Sequence, residues 1–238
     1  MSMSIRAAVQ PTHVAAITRG ACALRRWRIY LLTAILIALL VACTGASPTP
    51  SPTSAVVIVE DQFSPPNAAW ARFDTAESAV YAQGGELYLE DRGKGVAVYA
   101  PFAGKTYTDV MVDVQVRHVQ GTVNNWMGVI CRQQDENNYY LLAISADGYY
   151  LILLVENGIP TPLVGPQFDE GIKTGKTRNN LEVRCQGEQL SLRVKGALIV
   201  TVSDATLRKA GGVALFADAV EGGETAVVAF DNFVLTQP

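Results

Sequence analysis

The chain has 238 residues, of which 22 are acidic and 19 are basic, and its formal net charge is −3. Five of the basic residues precede residue 43 and every acidic residue follows it, so the remaining chain is acidic by eight charges. An acidic chain lacks the basic surface that nucleic acids require, and we predict no nucleic-acid partner. About 180 residues follow the first 58, which is enough for one domain with a sizeable core.

The N-terminal region has the order of an export signal. Residues 1–42 contain five arginines and no acidic residue, and Arg28 is followed by 14 uncharged residues, IYLLTAILIALLVA. A membrane span needs about 20 apolar residues, whereas this run has the length of a signal-peptide core. An uncleaved N-terminal membrane anchor is the alternative. We therefore predict an exported protein that faces away from the cytoplasm.

The end of the apolar run, Leu40-Val41-Ala42-Cys43, resembles the lipobox of bacterial lipoproteins. That resemblance implies cleavage after residue 42 and lipidation of Cys43, and two or three acyl chains at about 0.8 kcal/mol per buried CH₂ give a stable membrane anchor. Residues 44–54, TGASPTPSPTS, have no large apolar side chain and are typical of a linker. We predict a signal peptide over 1–42, a linker over 43–58 and a folded domain over 59–238.

The domain has the period-two pattern of β-strands throughout. In TYTDVMVDVQVRHV, residues 106–119, valines alternate with polar residues, which predicts a strand with one buried face. YYLLAISADGYYLILLV, residues 139–155, predicts a central hairpin with Asp147-Gly148 as a two-residue turn. That turn would place Tyr139 and Tyr150 on one face. Roughly a dozen such strands predict an all-β sandwich of two antiparallel sheets.

The order of these segments is similar to the concanavalin A-like lectin/glucanase superfamily, and within it to laminin-G-like and 3-keto-disaccharide hydrolase-type domains. The segments that carry the likeness run from EDQFSPPNAAW, through MGVICRQQDENNYYLLAISADGYYLILLVENG, to VAFDNFVL. The resemblance covers about residues 59–237 and implies a jelly-roll sandwich. Ligands of that superfamily are expected on a concave sheet or on its rim loops.

Cys131 and Cys185 are the two cysteines of the domain, and each lies in a predicted strand. An exported protein can retain a disulfide, and we predict one here; two buried free thiols are the alternative. His118 is the single histidine of the domain, which excludes a zinc site of the usual kind, and we predict that it is exposed.

A mixed polar and aromatic surface is predicted for ligand binding. Its aromatic members would pack against sugar C–H groups, while Asp, Arg and the two asparagines before Trp126 would bind hydroxyls. The predicted ligand-binding residues are Asp113, Arg117, Trp126, Arg132, Tyr139 and Tyr150. The alternative is that the three aromatic residues cap the core.

Evidence for catalysis or cofactors in the sequence is slight. Glu86 and Glu90 of ELYLE are about 13 Å apart along a strand, too far for retaining glycoside hydrolysis, and we predict a solvated strand face. Asp61 and Asp231 form a weak candidate for structural calcium, because two carboxylates are far fewer than the ligands it needs. No other cofactor is predicted.

The predicted function is that of a membrane-anchored, extracytoplasmic binding module for carbohydrate or another cell-surface ligand. Two alternatives remain open. One is a glycoside hydrolase or 3-keto-disaccharide hydrolase-like enzyme, against which the lack of an acid pair counts. The other is a domain for protein–protein adhesion.

Overall fold

The structure is a computed structural model that describes residues 55–220 and 224–238. The predicted signal peptide, Cys43 and residues 44–54 of the predicted linker lie outside the described residues. Among the described residues, no helix has the length and apolar character required to cross a membrane.

The described residues form fifteen β-strands joined by turns and loops. In chain order they are β1 (Val56–Asp61), β2 (Phe73–Asp74), β3 (Ser78–Gln83), β4 (Glu86–Asp91), β5 (Val98–Pro101), β6 (Val110–Gln120), β7 (Trp126–Asp135), β8 (Asn138–Ser145), β9 (Tyr149–Glu156), β10 (Ile159–Phe168), β11 (Asn179–Gln186), β12 (Gln189–Val194), β13 (Ala197–Ser203), β14 (Gly212–Asp218) and β15 (Ala226–Gln237).

These strands build two antiparallel sheets. The nine-stranded sheet has the order β13-β12-β11-β6-β15-β4-β3-β2, with β1 also paired to β15. The six-stranded sheet has the order β10-β9-β8-β7-β14-β5. The prediction of an all-β sandwich of two antiparallel sheets is confirmed. β1 begins at Val56, three residues before the predicted start of the domain, and pairs with the end of β15.

The core lies between the inner faces of the two sheets. Val110, Val112, Val114 and Val116 of β6 are buried in it, as their alternation predicts. A disulfide between Cys131 of β7 and Cys185 of β11 joins the six-stranded sheet to the nine-stranded sheet, with the Cα atoms 6.7 Å apart. The predicted disulfide is therefore present, and it closes across the core.

The β8–β9 hairpin differs from the prediction by one residue. Ile144 pairs with Tyr150, so the turn contains three residues, Ala146 to Gly148, rather than two. The hydroxyl of Ser145 accepts the backbone N–H of Tyr149 and also bonds Asp147, which closes the longer turn. Because strand faces alternate, this single residue moves Tyr150 to the face opposite Tyr139.

Candidate functional site

The six residues predicted to bind a ligand lie in three separate places. Asp113 and Arg117 project from the outer face of the nine-stranded sheet, because their neighbours on β6 point into the core. Trp126 and Tyr139 lie on the outer face of the six-stranded sheet. Tyr150 and Arg132 are buried. The structure therefore does not bring the six residues into one site.

Arg132 has a structural position. Its side chain is 1% exposed, and its guanidinium donates hydrogen bonds to three backbone carbonyls, of Thr108 at 2.9 Å, Gly187 at 2.5 Å and Leu207 at 3.2 Å. These carbonyls belong to three different loops. Arg132 thus links loops that are distant in sequence, and it presents no free donor to a ligand. Tyr150 is likewise in the core, where its hydroxyl donates to Gln167 at 2.8 Å.

The outer face of the six-stranded sheet has both small and large apolar residues at its centre. Gly128 of β7 lies between Phe216 of β14 and Ala143 of β8 in the pairing register. A Cβ atom on Gly128 would lie only 2.2 Å from a backbone oxygen of β8, so glycine is required for this close approach. The larger Ile130, Leu141 and Phe216 lie on the same face, so small residues occupy only part of its centre.

Larger aromatic side chains surround this centre. Tyr99, Trp126 and Tyr139 are partly buried and pack against the small apolar cluster of the same face. Burial raises the pKa of the Tyr139 hydroxyl, and the nearby charges of Tyr99 and Asp218 raise it further. We name Tyr99, Trp126, Tyr139 and the small residues between them the aromatic face.

A pocket of about 340 Å³ adjoins Trp126 at one end of the aromatic face. The described residues that line it are Asn124, Trp126, Ser145, Asp147, Tyr149, Pro166 and Val220. We name it the Trp126 pocket. A second depression of about 300 Å³ lies at Tyr99 and includes Phe73 and Glu136. Tyr99 of the second depression lies on β5, and Ser145 of the Trp126 pocket lies on β8, which are three strand spacings, or about 14 Å, apart. A ligand that touches both depressions must therefore be extended.

Asp218 lies directly opposite Trp126 on the neighbouring strand. Directly opposite residues of antiparallel strands have Cβ atoms about 5 Å apart, so the carboxylate borders the indole. Burial raises the pKa of Asp218, and the charge of Asp91 behind it adds to this effect. Within the described residues no side chain or backbone N–H donates a hydrogen bond to Asp218.

The outer face of the nine-stranded sheet has a different chemistry. Glu86, predicted as solvated, has a side chain that is only 9% exposed, and Arg117, Arg178 and Tyr88 all bond to it. These hydrogen bonds, led by that from Arg117, hold the pKa of Glu86 below its usual value. A carboxylate kept ionised by two arginines is unsuited to act as a general acid. The prediction of a solvated strand face is therefore wrong at Glu86, which is buried.

The two candidate calcium ligands have other partners. Asp61 is buried and accepts the N–H groups of Phe63 at 2.7 Å, Asn67 at 2.8 Å and the Trp70 indole at 2.8 Å. Asp231 bonds Arg178 at 3.2 Å. Within residues 55–220 and 224–238, no group of three or more His, Cys, Asp or Glu side chains is placed to hold a metal ion.

His118 is buried, contrary to the prediction that it is exposed. It belongs to the inward-facing set of β6, which continues the alternation of the four valines. Neither ring nitrogen has a hydrogen-bond partner in the described part of the chain. The prediction failed because a histidine at the end of a strand was taken to be exposed although the alternation pointed inward.

The predicted ligand-binding set includes Trp126 and Tyr139 of the aromatic face, but it does not include their neighbours Tyr99, Tyr149 and Asp218. Tyr99 lies on a strand of four residues, too short to show alternation. Asp218 ends its strand and meets Trp126 only through the pairing of β14 with β7, which are about 90 residues apart in the chain. In the sequence, the only local indication of Asp218 was that the apolar segment GGVALFAD ends in a polar residue.

Comparisons with known proteins add to this geometry. No protein-family model matches the chain, and no curated protein sequence matches it. Among solved structures, the beta-glucanase of Bacillus licheniformis is 13% identical and has a TM-score of 0.56, covering 78% of this chain and 100% of its own. A native glycosidic hydrolase is 13% identical with a TM-score of 0.56, covering 76% of this chain and 95% of its own. A family 7 alginate lyase is 10% identical with a TM-score of 0.51, covering 70% and 85%.

At these identities the likeness concerns the fold alone. The chain shares with these structures the sandwich of two antiparallel sheets described above. The described residues therefore form an all-β jelly-roll sandwich of two antiparallel sheets, as predicted.

Proposed function

We propose that this protein is an extracytoplasmic carbohydrate-binding module, held at the membrane by lipids on Cys43. The observation that carries the proposal is the aromatic face, in which Tyr99, Trp126 and Tyr139 are partly buried and pack against one apolar cluster on the outside of the sheet.

An aromatic ring gives a sugar a flat apolar surface for its C–H groups, and polar side chains nearby fix the hydroxyls. Trp126 supplies such a ring at the mouth of the Trp126 pocket, and Asn124 and Asp147 supply the polar groups. Between Trp126 and Tyr99 the face continues through Gly128 and Phe216, an apolar surface for further sugars of a chain. The solved structures of similar fold include a beta-glucanase, a glycosidic hydrolase and an alginate lyase, which supports carbohydrate as the ligand class.

The proposed location rests on the export signal and on the disulfide. Disulfides persist in oxidising compartments outside the cytoplasm, and the Cys131–Cys185 bridge fits such a place.

Membrane fractionation tests the anchor. The wild-type protein should sediment with membranes and carry a lipid on Cys43 by mass spectrometry, and Cys43→Ser should release it. A wild-type protein without lipid on Cys43 would contradict the anchor and leave the binding proposal intact.

A glycan array tests the binding proposal. We expect the purified protein to bind a defined set of glycans, and we expect Trp126→Ala and Tyr139→Ala to lose them. Tyr81→Ala is the matched control, because Tyr81 is a partly exposed aromatic residue of the nine-stranded sheet. The array is read with calcium and with a chelator, and loss of binding in the chelator would support the candidate metal site of Asp61 and Asp231. A blank array would contradict the proposal and favour a protein partner.

A further inference from the structure

The polar side chains that line the Trp126 pocket are those of Asn124, Ser145, Asp147 and Tyr149, and none of them is cationic. The Oδ1 atom of Asn124 is buried and has no partner among the described residues. Asp147 is a carboxylate, and the hydroxyl proton of Ser145 is already donated to it. A ligand that fills this pocket meets the Asp147 carboxylate, which accepts hydrogen bonds and donates none, so donors on the ligand are favoured.

The carboxylates at this end of the sheet lack paired cations. Neither Asp147 nor Asp218 forms a salt bridge within the described residues. Asp91, which is buried behind Asp218, adds a third carboxylate and is held by two backbone N–H groups at 2.8 Å. The nine-stranded sheet offers a direct contrast, because Glu86 on its outer face is paired with two arginines.

Basic side chains of the neighbouring loops do not supply the missing charge. Lys94 lies between β4 and β5, and Lys173 and Lys176 lie between β10 and β11; all three are exposed. None of them is among the described residues that line the Trp126 pocket. Arg132 is the single Lys or Arg within the strands of the six-stranded sheet, and its guanidinium is held by backbone carbonyls. Asp147 lines the Trp126 pocket and Asp218 lies beside it, opposite Trp126, and no Lys or Arg of the described residues forms a salt bridge with either carboxylate.

We infer that the Trp126 pocket selects sugars that carry a protonated amino group over neutral and acidic sugars. The inference rests on the proposed function and specifies its ligand class. An ammonium group brings three donors and no acceptor, and it is attracted both to carboxylates and to the face of an indole ring. A neutral sugar in the same place would leave both carboxylates without a counter-charge. A uronate or a sulfated sugar would add repulsion between like charges.

Three tetrasaccharides with the same β-1,4 backbone isolate this chemistry. They are the tetramers of glucosamine, N-acetylglucosamine and glucose, which differ only in the group on carbon 2. We expect calorimetry at pH 6 and low salt to give the glucosamine tetramer at least tenfold higher affinity than the other two. Most of that advantage should disappear at high salt, because exposed charge pairs are screened.

Two variants show whether the advantage arises at this pocket. Asp218→Asn should reduce the preference for the glucosamine tetramer to less than threefold while the other two affinities stay within twofold. Glu188→Gln, which removes a negative charge from the turn between β11 and β12, should leave the preference unchanged. Circular dichroism confirms that both variants fold.

The outcomes separate this inference from the proposed function. Equal affinity for the glucose and glucosamine tetramers would overturn the inference and leave carbohydrate binding intact. A preference that survives in Asp218→Asn would also overturn it, because the charge responsible would lie elsewhere. Binding of other glycans on the array without binding of the glucosamine tetramer would overturn the inference alone. No binding to any glycan would contradict the proposed function itself.

Discussion

Glu86 accepts two hydrogen bonds from Arg117, at 3.0 Å from Nε and 2.5 Å from Nη2. Arg178, from the segment before β11, bonds the same carboxylate at 2.6 Å. One carboxylate therefore joins β4, β6 and that segment on the outer face of the nine-stranded sheet. Glu86 on this face is thus paired with two arginines, whereas Asp147 and Asp218 near Trp126 have no salt bridge within the described residues.

The ion pairs of Glu86 with Arg117 and Arg178 should make the stability of the protein sensitive to acid. Because hydrogen bonds from Arg117 lower the pKa of Glu86 in the folded protein, the unfolded chain binds a proton at Glu86 more readily. The stabilisation is fully present above pH 4.5, the usual pKa, and is lost as the pH falls through the folded value. We expect the free energy of unfolding of Glu86→Gln to be lower at pH 6 and to fall less than that of the wild type below pH 4.5. Parallel acid dependence in both proteins would contradict this prediction.

His118 should destabilise the protein at mildly acidic pH. Burial lowers the pKa of the ring below its usual 6.5, so the unfolded chain takes up a proton there while the folded chain stays neutral. The free energy of unfolding should therefore decrease as the pH falls from 6.5. His118→Leu should remove this component and, because it replaces two unpartnered nitrogens, raise stability at pH 7 by about 1 kcal/mol. Urea unfolding from pH 7.5 to 5 measures both effects, and a less stable variant with an unchanged pH profile would refute the account.

Arg132 should matter for stability rather than for binding. Arg132→Met leaves three backbone carbonyls without their donor, and we expect a loss of about 3 kcal/mol or more. Arg132→Lys should recover little of it, because an ammonium group cannot span the positions of a guanidinium. Arg193→Met, on a partly exposed side chain, should cost at most about 1 kcal/mol. Denaturant unfolding measures the loss of stability in each variant. Equal losses for Arg132→Met and Arg193→Met would contradict the structural role of Arg132.

The disulfide should be a major contributor to stability. It joins residues 54 apart in the chain, and a loop of that length corresponds to about 4 kcal/mol on the chain-entropy model. Guanidinium unfolding of the oxidised protein, the reduced protein and the Cys131→Ala/Cys185→Ala double variant measures this contribution. Reduction and double substitution should give similar losses. An unchanged midpoint after verified reduction would show that the bridge does not constrain the unfolded chain.

The sequence predicted the features that depend on local alternation. The buried valines of β6, the hairpin and the disulfide pair all follow from strand periodicity and from two cysteines placed in strands. The hairpin register did not follow, because it depends on whether the turn has two or three residues, and the Ser145 hydroxyl decides that. The buried position of Arg132 was not predicted, for a related reason. It follows the inward Cys131 and adopts a positive φ of 49°, so the strand irregularity there breaks the alternation.

The candidate site depends on contacts between distant segments. Trp126 is apparent in the sequence, but its neighbours Asp218 and Ser145 are known only when β14 and β8 are placed on either side of β7. Strand order in a sandwich is set by the packing of the whole chain, and no local pattern encodes it.

The central claim is that a carbohydrate binds the aromatic face, and titration calorimetry tests it most directly. The glycan that binds best on the array is titrated into the wild type, Trp126→Ala and Tyr81→Ala. We predict that Trp126→Ala lowers the affinity at least tenfold, which corresponds to about 1.4 kcal/mol or more, while Tyr81→Ala stays within twofold of the wild type. Wild-type affinity in a folded Trp126→Ala variant would place the ligand elsewhere and contradict the account.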